Sequence, residues 1–301
     1  MIVGGGPAGL SAAMVLGRAC RSVLLADRGS PRNSVSPAMH GFLTRDGMAP
    51  EDFRQVALQQ LRPYDVQVPG VGVAHAERSG SGFKVVLDDG RKVRARRLIL
   101  ATGVVDQLPT FEGVAEIWGT SAHHCPFCDG WEWRGKRCAV LAPQGGVEQV
   151  LTLMAWTPHV TLLTDGNPKP REGSALLKRY GVTVRTGMIR RAESHGGWIR
   201  RMWFEDGSSM ELEALFFDYG THQASDLPRE LHCSMTSEGL VKVNEFGCTS
   251  TWGVYAAGDL TPGPQGAIMA AAEGARAAAS VHQSMRGEEI ARRPRRRVAP
   301  P

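Results

Sequence analysis

Apolar residues along this chain fall into short blocks, each followed by a glycine-containing turn. The opening block, IVGGGPAGLSAAMVLGRACRSVLLADRG, predicts a short strand, a turn through Gly4, Gly6 and Gly9, an Ala/Leu-rich helix, and an apolar strand from Val23 to Ala26 that ends at Asp27. GFKVVLDDGRKVRARRLILATG predicts a hairpin turning at Asp89-Gly90 and then a buried strand, Leu98 to Ala101, ending at Thr102-Gly103. Toward the C-terminus, GVYAAGDLTPGPQGAIMAAAEGARAAAS predicts a strand into Gly258-Asp259, a Pro/Gly loop, and a long small-residue helix starting near Gln265.

The pattern repeats. GWIRRMWFEDGSSMELEALFFDYG has the hairpin-plus-strand layout, with Gly207 and Gly220 separated as Gly90 and Gly103 are. RCAVLAPQGGVEQVLTLM, followed by HVTLLTD, has the layout of the opening block. Ala142 to Asp165 matches Gly4 to Asp27 in length, so Ala142, Gln144 and Val147 stand where Gly4, Gly6 and Gly9 stand. The expected class is therefore α/β with two Rossmann-like dinucleotide-binding domains. The first would comprise residues 1–110 and 241–286. An inserted, degenerate NAD(P)-like domain would span 111–240, with hinges near LPTFEGV and SEGLVKV.

Composition adds little, and charge adds one feature. At 301 residues, with 42% apolar and 22% charged residues, the chain has ordinary globular values. No apolar run is long enough to span a membrane, and MIVGGGPAGL lacks the basic stretch of a signal peptide. A cytoplasmic protein is the expectation. The net charge of +5 sits largely on RGEEIARRPRRRVAPP, so a nucleic-acid partner is not expected. Residues 287–301 are expected to form a disordered basic tail, either solubilising or able to dock an acidic partner. The six cysteines are scattered apart from Cys125 and Cys128, as in a reducing compartment.

The glycine turn has a chemical purpose. Gly4 makes the tight turn, Gly6 lets backbone approach a pyrophosphate, and Gly9 permits close packing of helix on strand. The helix start supplies N–H groups for phosphate, and Asp27 is placed to accept from a ribose. In the second copy a Gln side chain stands where backbone would meet pyrophosphate, and a branched Val stands at the packing position. Asp165 occupies the place of a 2′-phosphate, which a carboxylate repels. NADPH use is expected to be lost. Gly145 and Gly146 leave open a shifted turn, in which Asp165 would suit the ribose of NADH.

HHCPFCDGWEW carries the other chemistry. From the residues, Cys125-x-x-Cys128 is half a zinc site, a disulfide staple or a redox couple. Zinc needs four ligands, and His123, His124 and Cys138 show no recurring ligand spacing, so no metal is expected. A thiol at a helix N-terminus has a lowered pKa, which favours redox chemistry. His123 and His124 are read as a solvated pair, with a helping role in the thiol chemistry as the alternative.

The opening block, the hairpin-plus-strand unit and the C-terminal block together resemble the FAD-binding segments of the low-molecular-weight thioredoxin reductases, and CPFCDG resembles their redox motif. The resemblance reaches to about Arg286. It implies FAD held by Gly4, Gly6, Pro7, Ala8, Gly9, Asp27, Arg28, Thr102 and Gly103. It places Gly258 and Asp259 at the ribityl chain, Gln265, Gly266 and Ala267 at the flavin edge, and His40 and Gly41 of MHGFLTRDG along the flavin. It implies Cys128 as the flavin-proximal sulfur, Cys125 as the sulfur that exchanges with substrate, and Asp129 as the acid/base. HGFLTRDG and CPFCDGWE are most similar to an NADPH-independent branch that includes the dithiol oxidases of holomycin-like and gliotoxin-like metabolites. Those oxidise a dithiol and release hydrogen peroxide. Several of them carry His after the second cysteine, whereas Asp129 is the reductase residue. The implied partners are a small-molecule dithiol or a thioredoxin-like protein, ferredoxin in the alternative of a ferredoxin-fed or NAD(P)H-fed reductase, and a second copy as a homodimer.

Overall fold

Successive side chains of a strand face opposite ways, and the first parallel sheet shows what that alternation is for. Its strands run in the order Val254–Ala256, Leu98–Leu100, Ile2–Val3, Val23–Ala26, Val66–Gln67. Ile2, Leu25, Ile99 and Tyr255 share a core with Ala12, Ala13 and Leu16 of helix Pro7–Arg18 and with Ala277, Ala278 and Val281 of helix Ala267–Arg292. Val3, Ala26, Leu98, Leu100, Val254 and Ala256 form a second core with Phe83, Val85 and Leu87 of an antiparallel sheet, Val73–Ser79, Gly82–Leu87 and Lys92–Ala95. Both faces are covered, which is why these strands are apolar throughout. The expected hairpin closes at Asp89-Gly90, where Gly90 N donates to Leu87 O at 2.9 Å.

The computed structural model describes residues 1–170 and 172–292. By backbone contacts the chain divides into two units. Among the described residues, 1–32, 51–105 and 222–292 form the first, and 33–50 with 106–170 and 172–221 form the second. The second repeats the design. Its parallel sheet runs Thr183–Arg185, Val160–Leu163, Cys138–Leu141, Ala214–Phe217, Ala122–His123. Ala139, Leu141, Leu163, Leu215 and Phe217 pack with Ile189, Met202 and Phe204 of an antiparallel sheet. Cys138, Val140, Leu162, Ala214 and Phe216 pack with Val150, Leu153 and Leu177 on the helical side. The expected two-fold α/β Rossmann-type class is the one observed.

Three boundaries differ from expectation. Residues 222–240, expected in the inserted domain, group with the first unit, because Leu227, Leu231 and Cys233 bury into the core around Phe83 and Leu87. Residues 33–50, expected with the FAD segments, group with the second. The tail expected to be disordered from 287 is helical through Arg292. Two glutamates hold it: Glu288 pairs with Arg97 and, at 3.4 Å, with Arg96, and Glu289 pairs with Arg21 at 2.8 Å and Arg96 at 3.0 Å. The rest of that tail, 293–301, lies outside the described residues.

Candidate functional site

The glycine turn of the first unit is built as its spacing predicts. Gly4 has φ +104°, and a Cβ at Gly9 would lie 1.8 Å from the Gly4 carbonyl oxygen, so only glycine lets this helix approach this strand. Gly4 N donates to Ala26 O at 2.8 Å, tying the turn to the neighbouring strand. Pro7 opens the helix, where its missing N–H costs nothing, and Ala8 is buried behind it.

Asp27 is buried and fully engaged. Its Oδ1 accepts from Gly5 N at 3.0 Å, and its Oδ2 accepts from Arg54 Nη2 at 2.8 Å and Nε at 3.2 Å. Arg54 comes from helix Pro50–Leu61 and was not among the sequence candidates. Arg28 makes a two-pronged pair with Asp88, at 2.7 and 2.8 Å. At the other end of the sheet, Arg32 Nη1 donates to Asp259 Oδ2 at 2.9 Å and to Gln265 Oε1 at 2.7 Å, so one unforeseen arginine gathers two predicted residues. Gly258, at φ +88°, donates its N–H to Glu273 Oε2 at 2.8 Å. Gly266, at φ +145°, immediately precedes the helix that begins at Ala267.

These residues fit FAD. The space where a Cβ of Gly6 would sit is open, as a pyrophosphate against backbone requires. The first-turn N–H groups of helix Pro7–Arg18 face the same turn. Thr102 Oγ1, next to Gly103 (φ +69°), is buried with no hydrogen-bond partner, an orphan that a polar ligand would satisfy. His40 and Gly41, expected along the flavin, group with the second unit. There Gly41 N donates to Asp46 Oδ1 at 2.8 Å, and His40 lies 3.6 Å from Asp46 Oδ1 and 3.7 Å from Glu132 Oε1.

In the second unit the dithiol sits just past the strand Ala122–His123. Cys125 is the N-cap of the turn Pro126–Asp129, and its Sγ accepts from Cys128 N at 3.2 Å. Both thiols are half-buried. The Cys128 thiol and backbone N–H, with the Phe127 N–H, hold the Cys125 thiol below its ordinary pKa against the opposing pull of burial and of Asp129. Asp129 is pushed up to about 6 by burial, a value suited to proton transfer near neutral pH. By contrast, burial pushes core-strand Cys138 up to about 12, which leaves it a packing residue.

His123 corrects the expectation of a solvated pair: it is 6% exposed, because its strand pairs with Leu215 and Phe216 at the sheet's edge. Its Nε2 accepts from Trp133 Nε1 at 3.1 Å, and its Nδ1 lies 3.4 Å from Asp129 Oδ1. Burial lowers its pKa to about 3, so the ring is neutral. His124 is half-buried with its ring beside Trp118.

The second copy of the nucleotide turn keeps the backbone and loses the glycine pattern. Ala142 N donates to Leu163 O at 3.0 Å, the counterpart of the Gly4 bond. Gly145 (φ +88°) and Gly146 (φ +78°) take the turn one step later, with Gly146 capping helix Val147–Leu153. Val147 fills the space beyond, where a Cβ on Gly173 would lie 2.6 Å from its Cγ1. Asp165, at φ +45°, is turned to accept from Ile189 N at 2.7 Å.

Comparison with known proteins agrees with this geometry. A sequence model described as pyridine nucleotide-disulphide oxidoreductase matches residues 1–274. Thioredoxin reductase tcpT of Claviceps purpurea is 36% identical over 281 residues, covering 86% of this chain and 85% of the relative. The crystal structure of HlmI superposes with a TM-score of 0.92 at 31% identity, covering 96% of this chain and 93% of that one. An oxidoreductase from Agrobacterium tumefaciens gives 0.88 at 34% identity, covering 95% and 97%. The chain belongs to the pyridine nucleotide-disulphide oxidoreductase family, and with it to the FAD flavoenzymes that exchange electrons between thiols and disulfides.

Proposed function

We propose that this enzyme oxidises a substrate dithiol to a disulfide through Cys125 and Cys128, without a nicotinamide cofactor and with dioxygen as the terminal acceptor. The observation that carries the reading is the second-unit turn: the space at Gly6, the N-cap of the first unit's helix, is open, whereas a Cβ at Gly146, the N-cap of the matching helix, would lie 2.4 Å from Ala142 Cβ. A substrate thiolate attacks Cys125 Sγ of the oxidised pair. The Cys125–Cys128 bond breaks, a mixed disulfide forms, and Cys128 leaves as a thiolate. The second substrate thiolate then attacks the substrate sulfur of that mixed disulfide. This releases the cyclic disulfide and Cys125, whose N-cap position and bond from Cys128 N favour the thiolate. The pair has gained two electrons, and Asp129 takes up and returns a thiol proton. Bound FAD would supply a two-electron acceptor that dioxygen can reoxidise, so that overall dithiol plus O2 gives disulfide plus H2O2. The class of substrate is a small-molecule dithiol or a thioredoxin-like protein, in keeping with relatives named as thioredoxin reductases.

A second reading, a thioredoxin reductase fed by ferredoxin or NAD(P)H, is favoured by Asp129, which is the reductase residue after the second cysteine. Anaerobic titration of the bound flavin separates the two. Under the proposal a dithiol such as dithiothreitol bleaches the flavin, NADH and NADPH leave it yellow, and readmitted air yields one H2O2 per dithiol. Bleaching by NADPH or reduced ferredoxin, with none by dithiols, overturns it.

A further inference from the structure

The stretch AIMAAAEGARAAAS of helix Ala267–Arg292 is small and apolar apart from Arg276 and Glu273, the only acidic residue between Asp259 and Glu288. Arg276 is exposed, whereas Glu273 is half-buried, and the reaction above gives it no task. Its neighbour Gly274 presses the helix onto the start of helix Pro7–Arg18. A Cβ at Gly274 would lie 1.9 Å from Ala8 O, so glycine is what permits that approach. The side chain of Glu273 thereby reaches the end of strand Val254–Ala256. Ala257 N still bonds within the sheet, donating to Leu100 O at 3.0 Å. Gly258 N is the next donor and has left the sheet; Glu273 Oε2 accepts from it at 2.8 Å, where the chain turns at φ +88°. The same oxygen lies 3.1 Å from Thr261 Oγ1, whose single proton is also within reach of Gly258 O at 2.9 Å.

We infer that Glu273 is a positioning residue for the flavin cofactor: its carboxylate fixes how the chain leaves the strand at Gly258 and so sets Asp259, the residue expected at the ribityl chain. Arg32 holds the side chain of Asp259, and Glu273 holds the backbone that presents it. A carboxylate accepting from a backbone N–H makes a charge-assisted bond, stronger than a neutral one. Without it, Gly258 would have an unpaired N–H and the conformational freedom of glycine at the point where the loop must keep one shape. The inference concerns how tightly FAD is held, so it does not depend on the direction of electron flow or on the dithiol reading.

The test is calorimetric titration of the full-length apoprotein with FAD, with urea unfolding of the same apoprotein as the measure of its fold. E273A should weaken binding about ten- to a hundredfold, the range for losing a hydrogen bond to a charged group. E273Q, whose amide oxygen can accept from Gly258 N at the same reach, should bind within about threefold of wild type. E273D keeps the charge but withdraws it by one methylene, and should bind about tenfold more weakly. T261V removes only the longer contact and should lose about two- to threefold. R276A, an exposed change on the same helix, should leave affinity unaltered. If E273A does not fold, the comparison of E273D with E273Q decides. Wild-type affinity in folded E273A or E273D, even with a lower urea midpoint, would mean that Glu273 only supports the helix, and overturns the inference. E273Q binding as weakly as E273A also overturns it, because charge rather than the placement of the acceptor would then be what FAD binding needs.

Discussion

In the first unit, the acid that ends the second strand faces the glycine turn: Asp27 accepts from Gly5 N and is braced by Arg54. In the second unit the acid at the same place in the repeat faces away, Asp165 accepting from Ile189 N. The two sheets have matching strand orders, yet one keeps a turn whose Gly9 must be glycine and the other caps its helix with Gly146 and begins it with Val147. The edge strands differ too. Beside Leu98–Leu100, Val254–Ala256 leads into Gly258-Asp259; beside Ala214–Phe217, Ala122–His123 leads into Cys125. Ligand chemistry in such sheets gathers at the carboxyl ends of strands. The residues expected to hold FAD thus gather at one copy's carboxyl edge and the dithiol at the other's.

The sharpest way to break that comparison is at the dithiol. C128S should lower turnover at least about a thousandfold, because neither half of the exchange can finish, while flavin absorbance stays at the wild-type level. Appreciable turnover in a yellow C128S protein would remove the relay.

Next in size are reciprocal changes at the two turns. G9V places a branched side chain where a Cβ already lies 1.8 Å from the Gly4 oxygen, so the purified protein should be colourless or fail to fold. V147G removes a partly buried side chain that packs on the helical-side core and against Gly173, and should cost about 1 kcal/mol in urea unfolding, with flavin content unchanged. Equal flavin loss in both variants would mean that the copies are not specialised as described.

The paired acids give a smaller contrast. D27N weakens the Arg54 pair and should reduce flavin affinity by about tenfold, since a bent or displaced Gly5 alters the whole turn. D165N keeps an oxygen for Ile189 N and should change stability by less than about 1 kcal/mol with no effect on flavin. Isothermal titration of the apoprotein with FAD distinguishes them.

What could be read from the chain follows from range. The short apolar blocks around Ile2, Val23 to Ala26 and Leu98 to Ala101, and the spacing of Gly4, Gly6 and Gly9, are local signals, and the sheets and the first turn carry them through. Cys125 and Cys128 were legible for the same reason. Arg54, Arg32 and Glu273 were not, because each reaches a residue whose position depends on the finished fold, as Arg32 does with Asp259. The burial of His123 was hidden by a two-residue strand too short to show a period. The helical 287–292 segment was misread from its Pro- and Arg-rich composition, because its glutamates find Arg21, Arg96 and Arg97 far back in the chain.

The finest contrast lies within the dithiol site, where burial acts on two neighbours with opposite sign. Asp129 rises from 3.8 to about 6 on folding, so between those values the folded chain holds a proton that the unfolded chain has released, and stability falls as pH rises. His123 falls from 6.5 to about 3, so the unfolded chain is the one holding the extra proton there, and stability falls as pH drops. Over the window they share, the two slopes oppose each other and the wild-type profile should be shallow. D129N removes only the first. Its gain in unfolding free energy over wild type should be near zero at pH 4, grow through pH 6 and level off above, reaching at most about 2–3 kcal/mol. Urea titrations of both proteins at half-unit pH steps measure that difference curve directly. A curve that is flat with pH would mean that burial does not hold a proton on Asp129, and the carboxyl would then be ionised throughout the range in which a thiol must trade its proton.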